Sequence, residues 1–596
     1  MGVDVSARAR TVGITTQFKN LRGGAIQNLP QRIMLVAHGQ TGVTYSSTKK
    51  QIFSASEAGA TYGYQSQIAL AALELFPLNG DGVDTIPVTV YPLSDAGGGS
   101  AAAAGDVTPS GTATEAASYQ LVMSGIKSLP FVIPRDYAMA TAAQLSDVLG
   151  RIGDAVNAIT YRPVVVDYSY GTVTATPGAG NTGNGTCTTL SVTGTPRPGA
   201  WLLTLNTAVA EGGVWTFTDP NGTIISKTLT QTTGVGEATV FDVGGIQFTI
   251  TDGTTDFAVG DTFTIDVPAT DITLTAGWHG VSGNDIVLSV DGPSVGITFA
   301  ITQPTGGLVN PTVDAALDQV GEVWETIAIN GLNIEDTTAL DAYQTFGDGR
   351  WGTLVHKPLV FLTGNNTVDV NDATFIPSGR TADRVNGQVA VPGSPNLPCV
   401  IAARHVARIA KKANNNPPSG YGALKLQSLT AGTDAQQWNY TQRDAALKAG
   451  SSTTQVKNGV LEIGQVITFW APVGEPDPAY RFVRDIVKLQ NIIYNVNIPF
   501  EADDWASAPF LPDDQATTNP AVRKARTAIA IVSGIIDSLA EAAIIADPET
   551  AKSTITAVQN GSNPNRIDIE FTVALSPNTD IKDVTLNFGF FFGQAA

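Results

Sequence analysis

The sequence predicts an α/β multidomain protein in which an all-β sandwich interrupts a mixed fold. At 596 residues the chain exceeds what one hydrophobic core holds, and roughly three to five domains are expected. Strand, helix and strand follow one another at α/β spacing before residue 170 and again beyond Asn310. Between them, from about Thr172 to Val267, helical periodicity disappears and short alternating segments take over.

Residues 1–20 alternate weakly, with Val3, Val5, Ala7 and Ala9 on one face and Val12 and Ile14 after them. Nothing there could fold alone, so the segment reads as an extended N-terminal arm. The first core segment covers 21–95. It holds the apolar strand Ile33–Ala37, a helix around Gln65–Phe76 with Ile68, Ala69, Ala72, Leu73 and Phe76 on one face, and the strand Ile86–Tyr91. Ala96–Gly105 is nearly all Gly, Ala and Ser and reads as a linker, opening a peripheral α/β domain over 96–171. That domain should contain the strand Tyr119–Met123 and a helix started by a capping box, Thr141 with Gln144. Leu145, Val148, Leu149, Ile152, Val156 and Ile159 continue the helix at helical spacing, and Pro163–Tyr168 is a closing strand.

The segment 172–268 carries Trp201–Leu205, Gly213–Phe217, Ile246–Ile250 and Thr262–Ile265, separated by Asp219-Pro-Asn-Gly222 and other glycines. About seven strands in about 95 residues is the pattern of an immunoglobulin-like β-sandwich. Ile272–Ala276 and Asp285–Val290 return to the earlier strand style, so 269–305 completes the peripheral domain and the sandwich is an insertion. The second core segment covers 306–581. Asn310 should cap a helix with Pro311 at its first position, over Ala315, Leu317, Val320 and Val323. Further helices are expected near Leu397–Ala413, Ala479–Val496 and Arg523–Ile545. Residues 582–596 form a terminal strand or arm, with Val584, Leu586, Phe588, Phe590 and Phe592 on one face.

Composition narrows the function. Charged residues are 15%, against a typical figure of about 25%. The surface is therefore small, neutral and polar, which suits repeated contact between copies. A formal charge of −19 argues against nucleic acid, since phosphate binding needs a basic face. The densest basic cluster, Arg404, Arg408, Lys411 and Lys412, reads as a solvated helix face. Two cysteines, Cys187 and Cys399, exclude a disulfide framework and suggest assembly in a reducing cytoplasm. The first residues lack a signal-peptide core and no run approaches the ~20 apolar residues of a membrane span, so a soluble protein without membrane insertion is expected.

Catalytic and cofactor motifs do not survive inspection. Gly292-Pro-Ser-Val-Gly296 matches G-x-S-x-G, but a strand follows where a nucleophile elbow needs a helix. Gly178-Ala-Gly-Asn-Thr-Gly183 matches G-x-G-x-x-G without a βαβ unit around it. His38, His279, His356 and His405 are scattered and read as satisfied structural histidines. Asn79-Gly-Asp-Gly-Val-Asp84 lacks the twelfth-position Glu of a calcium loop and reads as a plain turn. No enzyme, cofactor or metal is expected.

The chain ends are more informative. Ordering a free arm costs about 1–2 kcal/mol per residue, while a backbone hydrogen bond returns about 1 kcal/mol net. Such arms are ordered only where a sheet edge receives them and apolar side chains dock, either by β-augmentation of a neighbour or by pairing within their own domain. The residues placed on these arms are Val3, Val5, Val12, Ile14, Val584, Leu586, Phe588 and Phe590.

Several segments, in order, resemble contractile tail sheath proteins of the Mu-like branch. They are Ala276-Gly-Trp-His-Gly-Val-Ser-Gly-Asn-Asp-Ile286; Thr305-Gly-Gly-Leu-Val-Asn-Pro311 with Glu322-Val-Trp324; Gly349-Arg-Trp-Gly352 with Leu359–Leu362; Gly459-Val-Leu-Glu-Ile-Gly-Gln-Val-Ile-Thr468 with Asp477-Pro-Ala-Tyr480; and Asn563-Pro-Asn-Arg-Ile-Asp568. The inserted sandwich is a departure that many relatives lack. The resemblance implies a core built from both chain halves, stacked as rings around a tail tube and joined by exchanged arms. Its partners would be copies of itself, the tube protein, and baseplate and tail terminator proteins, in a virion tail that contracts for genome delivery. In related sheaths a helix near the C-terminus of the core meets the tube, which makes Arg523, Lys524 and Arg526 the tube-facing candidates. Alternatives are the sheath of a bacterial injection machine, such as a tailocin or type VI system, and a β-rich adhesin or fibre.

Overall fold

The computed structural model describes residues 27–586, except 79, 211, 233, 235 and 473–479. Its centre is an eight-stranded sheet drawn from both halves of the chain. Across the sheet run Lys50–Ile52, Val88–Leu93, Ile33–His38, Ile327–Asn330, Val360–Asn365, Asn386–Ala390, Ser451–Lys457 and Val460–Gln465. The six inner strands are parallel and the two edge strands antiparallel. Ile33–His38 and Val360–Asn365 are buried at every position, as expected of parallel strands covered on both faces.

Alternation along the strands sorts the side chains into two cores. Ile33, Leu35, Ile329, Val360 and Leu362 enter one core with the helices Gln67–Leu75 and Pro398–Asn415. Met34, Val36, Ala328 and Phe361 enter the other, with Leu317, Leu340 and Tyr343 from the helices Asp314–Asp318 and Thr337–Arg350. Gly364 lets the Pro398–Asn415 helix lie directly on the sheet, because a Cβ there would run into the Pro398 carbonyl oxygen.

The peripheral region is an antiparallel sheet in the order Ile297–Thr305, Ala102–Gly111, Ala269–His279, Val164–Tyr170, with the helix Ala142–Asn157 against it. From Val164–Tyr170 the chain enters the sandwich and returns into Ala269–His279. Tyr170 pairs with Ala269, and the Gly171 N–H donates to the Pro268 carbonyl at 2.9 Å. The insertion therefore starts and ends on hydrogen-bonded neighbours. Its two sheets are Thr186–Val192, Ile246–Thr251, Ala238–Val243 and Ile224–Gln231, Gly212–Thr218, Gly199–Val209, Thr262–Val267, Thr174–Pro177. Trp201 stacks on Phe217 at 4.9 Å, and Trp215 meets Phe257 edge-on at 5.0 Å, inside their common core. Arg197 seats the sandwich on the Ala142–Asn157 helix, its Nε 2.8 Å from Asp154 and its Nη2 3.3 Å from Asp147.

A small C-terminal unit follows, with the helix Ala525–Glu541 packed over the hairpin Thr556–Gln559/Ile567–Glu570 and the pair Ile545–Ala546/Ala574–Leu575.

Local readings shift at several points. Ala102–Gly111 is a ten-residue strand, so only the start of the Ala96–Gly105 segment is a connection. Small residues are needed there because a Cβ on Gly105 would meet the Thr302 carbonyl oxygen at 2.5 Å. Thr141 is the N-cap of its helix but makes no side-chain cap, and Gln144 accepts from the Ala138 N–H instead, at 2.7 Å. The helix expected at Pro311 begins at Asp314. The Asn310 side chain accepts from the Val281 N–H at 2.8 Å and donates to Asp336 at 2.8 Å. The G-x-S-x-G string joins the strands Leu288–Asp291 and Ile297–Thr305, and the G-x-G-x-x-G string joins Thr174–Pro177 to Thr186–Val192.

Candidate assembly surfaces

The described residues begin and end beside one helix, Val483–Glu501, here called the anchor helix. Val483, Ile486 and Val487 tie it to the main core, and Ile492 ties it to the C-terminal unit. Its remaining face carries Arg484, Lys488, Asn491 and Asn495, spaced four, three and four apart and therefore in one stripe over about 16 Å. All four are buried, at 6%, 0%, 0% and 6% exposure. Buried polar groups need partners, and here the partners come from the two ends of the described residues.

The neutral half of the stripe holds the N-terminal root. Asn491 Oδ1 accepts from the Leu29 N–H at 2.8 Å. Asn495 accepts from the Gln27 N–H and donates to the Gln27 carbonyl, both at 3.0 Å, as a neighbouring strand would. The charged half holds the C-terminal root. The three donors of the Lys488 ammonium go to Asp485 at 2.8 Å, the Ser576 carbonyl at 2.6 Å and Asn578 at 2.7 Å. Arg484 forks onto both oxygens of Asp580 at 2.8 and 2.7 Å, and Gln465, the last residue of the sheet's edge strand, donates to Asp580 at 3.1 Å.

Immediately beyond Asp580 the character of the chain changes. Ile581, Val584 and Leu586 are 89%, 82% and 79% exposed, and 576–586 belong to no strand of their own chain. Phe588 and Phe590, like Val3, Val5, Val12 and Ile14, lie outside the described residues.

The three tube-facing candidates are brought to one helix start but differ in environment. Lys524 is buried, donating to the carbonyls of Asp513 and Gln515. Arg523 pairs with Asp504 at 3.4 Å. Arg526 is exposed on the helix that buries Ala528, Val532, Ile536 and Leu539 on its opposite side.

The basic cluster on the Pro398–Asn415 helix is not a solvated face. Arg404 is 2% exposed and pairs with Asp81 at 3.0 Å and Glu74 at 3.9 Å; Arg408 also pairs with Asp81, and Lys411 with Asp84 at 2.9 Å. Burial pulls the Arg404 guanidinium below its ordinary value and pushes the Glu74 carboxyl above its own. The turn that faintly resembles a calcium loop thus directs its carboxylates at the chain's own cations. The histidines differ as well. His405 bonds the Ile401 carbonyl at 2.8 Å, whereas neither ring nitrogen of buried His38 has a partner, and burial holds both rings at a pKa of about 4. Cys187 and Cys399 are free and buried. Among the described residues no group of acidic, histidine or cysteine side chains could hold a metal, and no helix is long and apolar enough to cross a membrane.

Sequence reasoning missed Arg484, Lys488, Asn491, Asn495 and Asp580. The four-three-four spacing of Arg484, Lys488, Asn491 and Asn495 along the helix was the available signal.

No family model matches the chain. A curated relative, the Mu-like prophage FluMu tail sheath protein of Haemophilus influenzae, is 22% identical over 311 residues, covering 50% of this chain and 62% of that protein. The resemblance to Mu-like tail sheath proteins therefore stands on more than short motifs, although the chain spans less than two thirds of that relative. Among solved structures, a sheath tail protein of Listeria innocua superposes with a TM-score of 0.42 at 11% identity, over 93% of this chain and 94% of the other. A sheath tail protein of Desulfitobacterium hafniense gives 0.40 at 12%, over 95% and 97%. Superpositions this loose carry no residue correspondence.

Proposed function

We propose that this chain is the sheath subunit of a contractile phage tail, polymerising helically around a tail tube and contracting to drive it through the host envelope. The observation that carries the reading is the C-terminal tail, fixed at Asp580 and exposing Ile581, Val584 and Leu586 directly afterwards. Exposed apolar residues that follow an anchored point and have no strand partner among the described residues suit β-augmentation of a second copy. A contact in which the donor and acceptor surfaces differ is heterologous and generates a helical array. Contraction is then a rigid-body rearrangement with the tails as hinges, and it needs no cofactor. The similarity to a prophage tail sheath protein favours a virion tail, with baseplate and terminator proteins capping the polymer, over an injection machine.

Arg526 is the tube-facing residue of choice, because Arg523 and Lys524 are engaged within the chain. Single exposed charge pairs contribute about 0–1 kcal/mol, so the tube is held by repetition and is easily released.

The test is negative-stain microscopy. Full-length protein should form striated tubes, and deletion of 582–596 should leave a folded monomer that forms none. Tubes of normal length from the truncated protein would overturn the arm reading. Arg526→Glu should spare sheath tubes but weaken co-assembly with the tube protein; unchanged co-assembly at raised salt would remove Arg526 from the contact. DNA-filled heads on purified particles would separate a virion from an injection machine.

A further inference from the structure

We propose that the Arg484–Asp580 clasp on the anchor helix is the hinge at which the C-terminal arm begins. This deepens the sheath reading above and rests on it.

Two geometric facts carry the inference. The two ends of the described residues, Gln27 and Leu29 at one and Ser576 and Asp580 at the other, bond to one face of one helix, within about 16 Å of each other. Through the chain the roots are far apart, one passing into the middle of the main sheet and the other through the C-terminal unit. The second fact is the abrupt boundary at the clasp. Asp580 takes three bonds from Arg484 and Gln465, which tie it to the helix and to the end of the sheet's edge strand at once. The next residue, Ile581, is 89% exposed.

The two roots differ in chemistry. Asn491 and Asn495 are neutral and bond to backbone, so their grip on Gln27 and Leu29 is insensitive to salt. Arg484 grips Asp580 as an ion pair whose carboxylate side is 38% exposed, and salt screens it. The C-terminal root is therefore the adjustable one. Opening it lengthens the free arm back to Asn578, which Lys488 still holds, without disturbing the contacts of Gln27 and Leu29.

The experiment is hydrogen exchange on the unassembled full-length chain, with Asp580→Asn as the isosteric probe and Arg484→Asp/Asp580→Arg as the charge swap. Loss of the charge-assisted fork should raise exchange at Asp580, whose N–H donates to the Asn578 carbonyl at 3.1 Å, about tenfold or more, while the exposed 581–586 exchange fast in both proteins. Exchange at 27–31 and 545–575 should stay unchanged, and the swap should return residue 580 toward wild type, read at residue resolution by NMR. High salt should act on wild type as Asp580→Asn does. Unchanged exchange at residue 580 would overturn the clasp, and exchange spreading into 545–575 would show an ordinary stabilising ion pair in its place. Should the swap fail to fold, Asp580→Asn alone decides. Because these readings come from monomer, they stand apart from tube formation: a wild type that never forms tubes sinks the sheath reading and leaves the clasp measured.

Discussion

Removing the Asp81 carboxylate is a direct test of the buried ion-pair face. Asp81 Oδ2 takes the Arg404 Nη2 donor at 3.0 Å and its other oxygen pairs with Arg408, while its backbone carbonyl accepts from Arg404 at 3.1 Å. Asp81→Ala deletes the carboxylate contacts and leaves the backbone one. Breaking a buried pair by removing one partner costs about 3–5 kcal/mol. Two features put this case at the low end: the Asp81 side chain is 32% exposed, and Glu74 remains 3.9 Å from Arg404. About 3 kcal/mol is expected, which lowers the melting of a domain this large by roughly 6–12 °C. Calorimetry resolves the main-core transition from that of the sandwich, and circular dichroism confirms that the variant starts folded. Arg404→Met combined with Asp81→Ala should cost less than the two single changes added together, because the broken Arg404–Asp81 pair is then counted once. A drop of about a degree or less for Asp81→Ala would mean that Arg404 and Arg408 are solvated, and the reasoning would fail.

Two other outcomes are expected alongside the arm deletion and the clasp variants. Replacing residues 173–268 with a short Gly/Ser linker should preserve sheath tubes, since Gly171 and Pro268 already sit 2.9 Å apart across a hydrogen bond; a folded shortened protein that no longer assembles would assign lattice contacts to the sandwich. Burial, helped by the Glu335 charge, pushes the Asp285 carboxyl up to about 7, and its Oδ2 has no partner. A raised folded pKa favours the protonated form, so this group's contribution is complete below about pH 4 and is lost as pH rises to about 7. Asp285→Asn should remove that loss, worth up to about 4 kcal/mol at pH 7.5. His38 and His405, held near 4, tilt stability the opposite way over the same range but equally in both proteins, so the difference curve isolates Asp285. A flat difference curve would refute it.

Much of the architecture was legible because it depends on short-range pattern. The uniformly apolar Ile33–Ala37 and Leu359–Leu362, the helical spacing of Ile68, Ala72 and Leu145–Val156, and the helix-free stretch after Tyr170 each identify an element by periodicity alone. Helix starts were less legible. Asn310 reads as a cap, but its side chain is taken by Val281 and Asp336 from distant sequence, and the helix starts at Asp314.

What the sequence by itself determined was the mixed α/β fold with its all-β interruption. Periodicity and composition are local properties, and they survive without knowledge of neighbours. Only the tertiary structure decided what the polar residues do. Arg404 and Arg408 look solvated until Asp81, more than 300 residues earlier, is placed against them. Arg484, Lys488, Asn491 and Asn495 find their partners only when the two ends of the described residues are laid along the helix, 88 residues away in one direction and 468 in the other. A charge is buried or exposed according to the partner the fold delivers, and for these residues every decisive partner is far away in sequence.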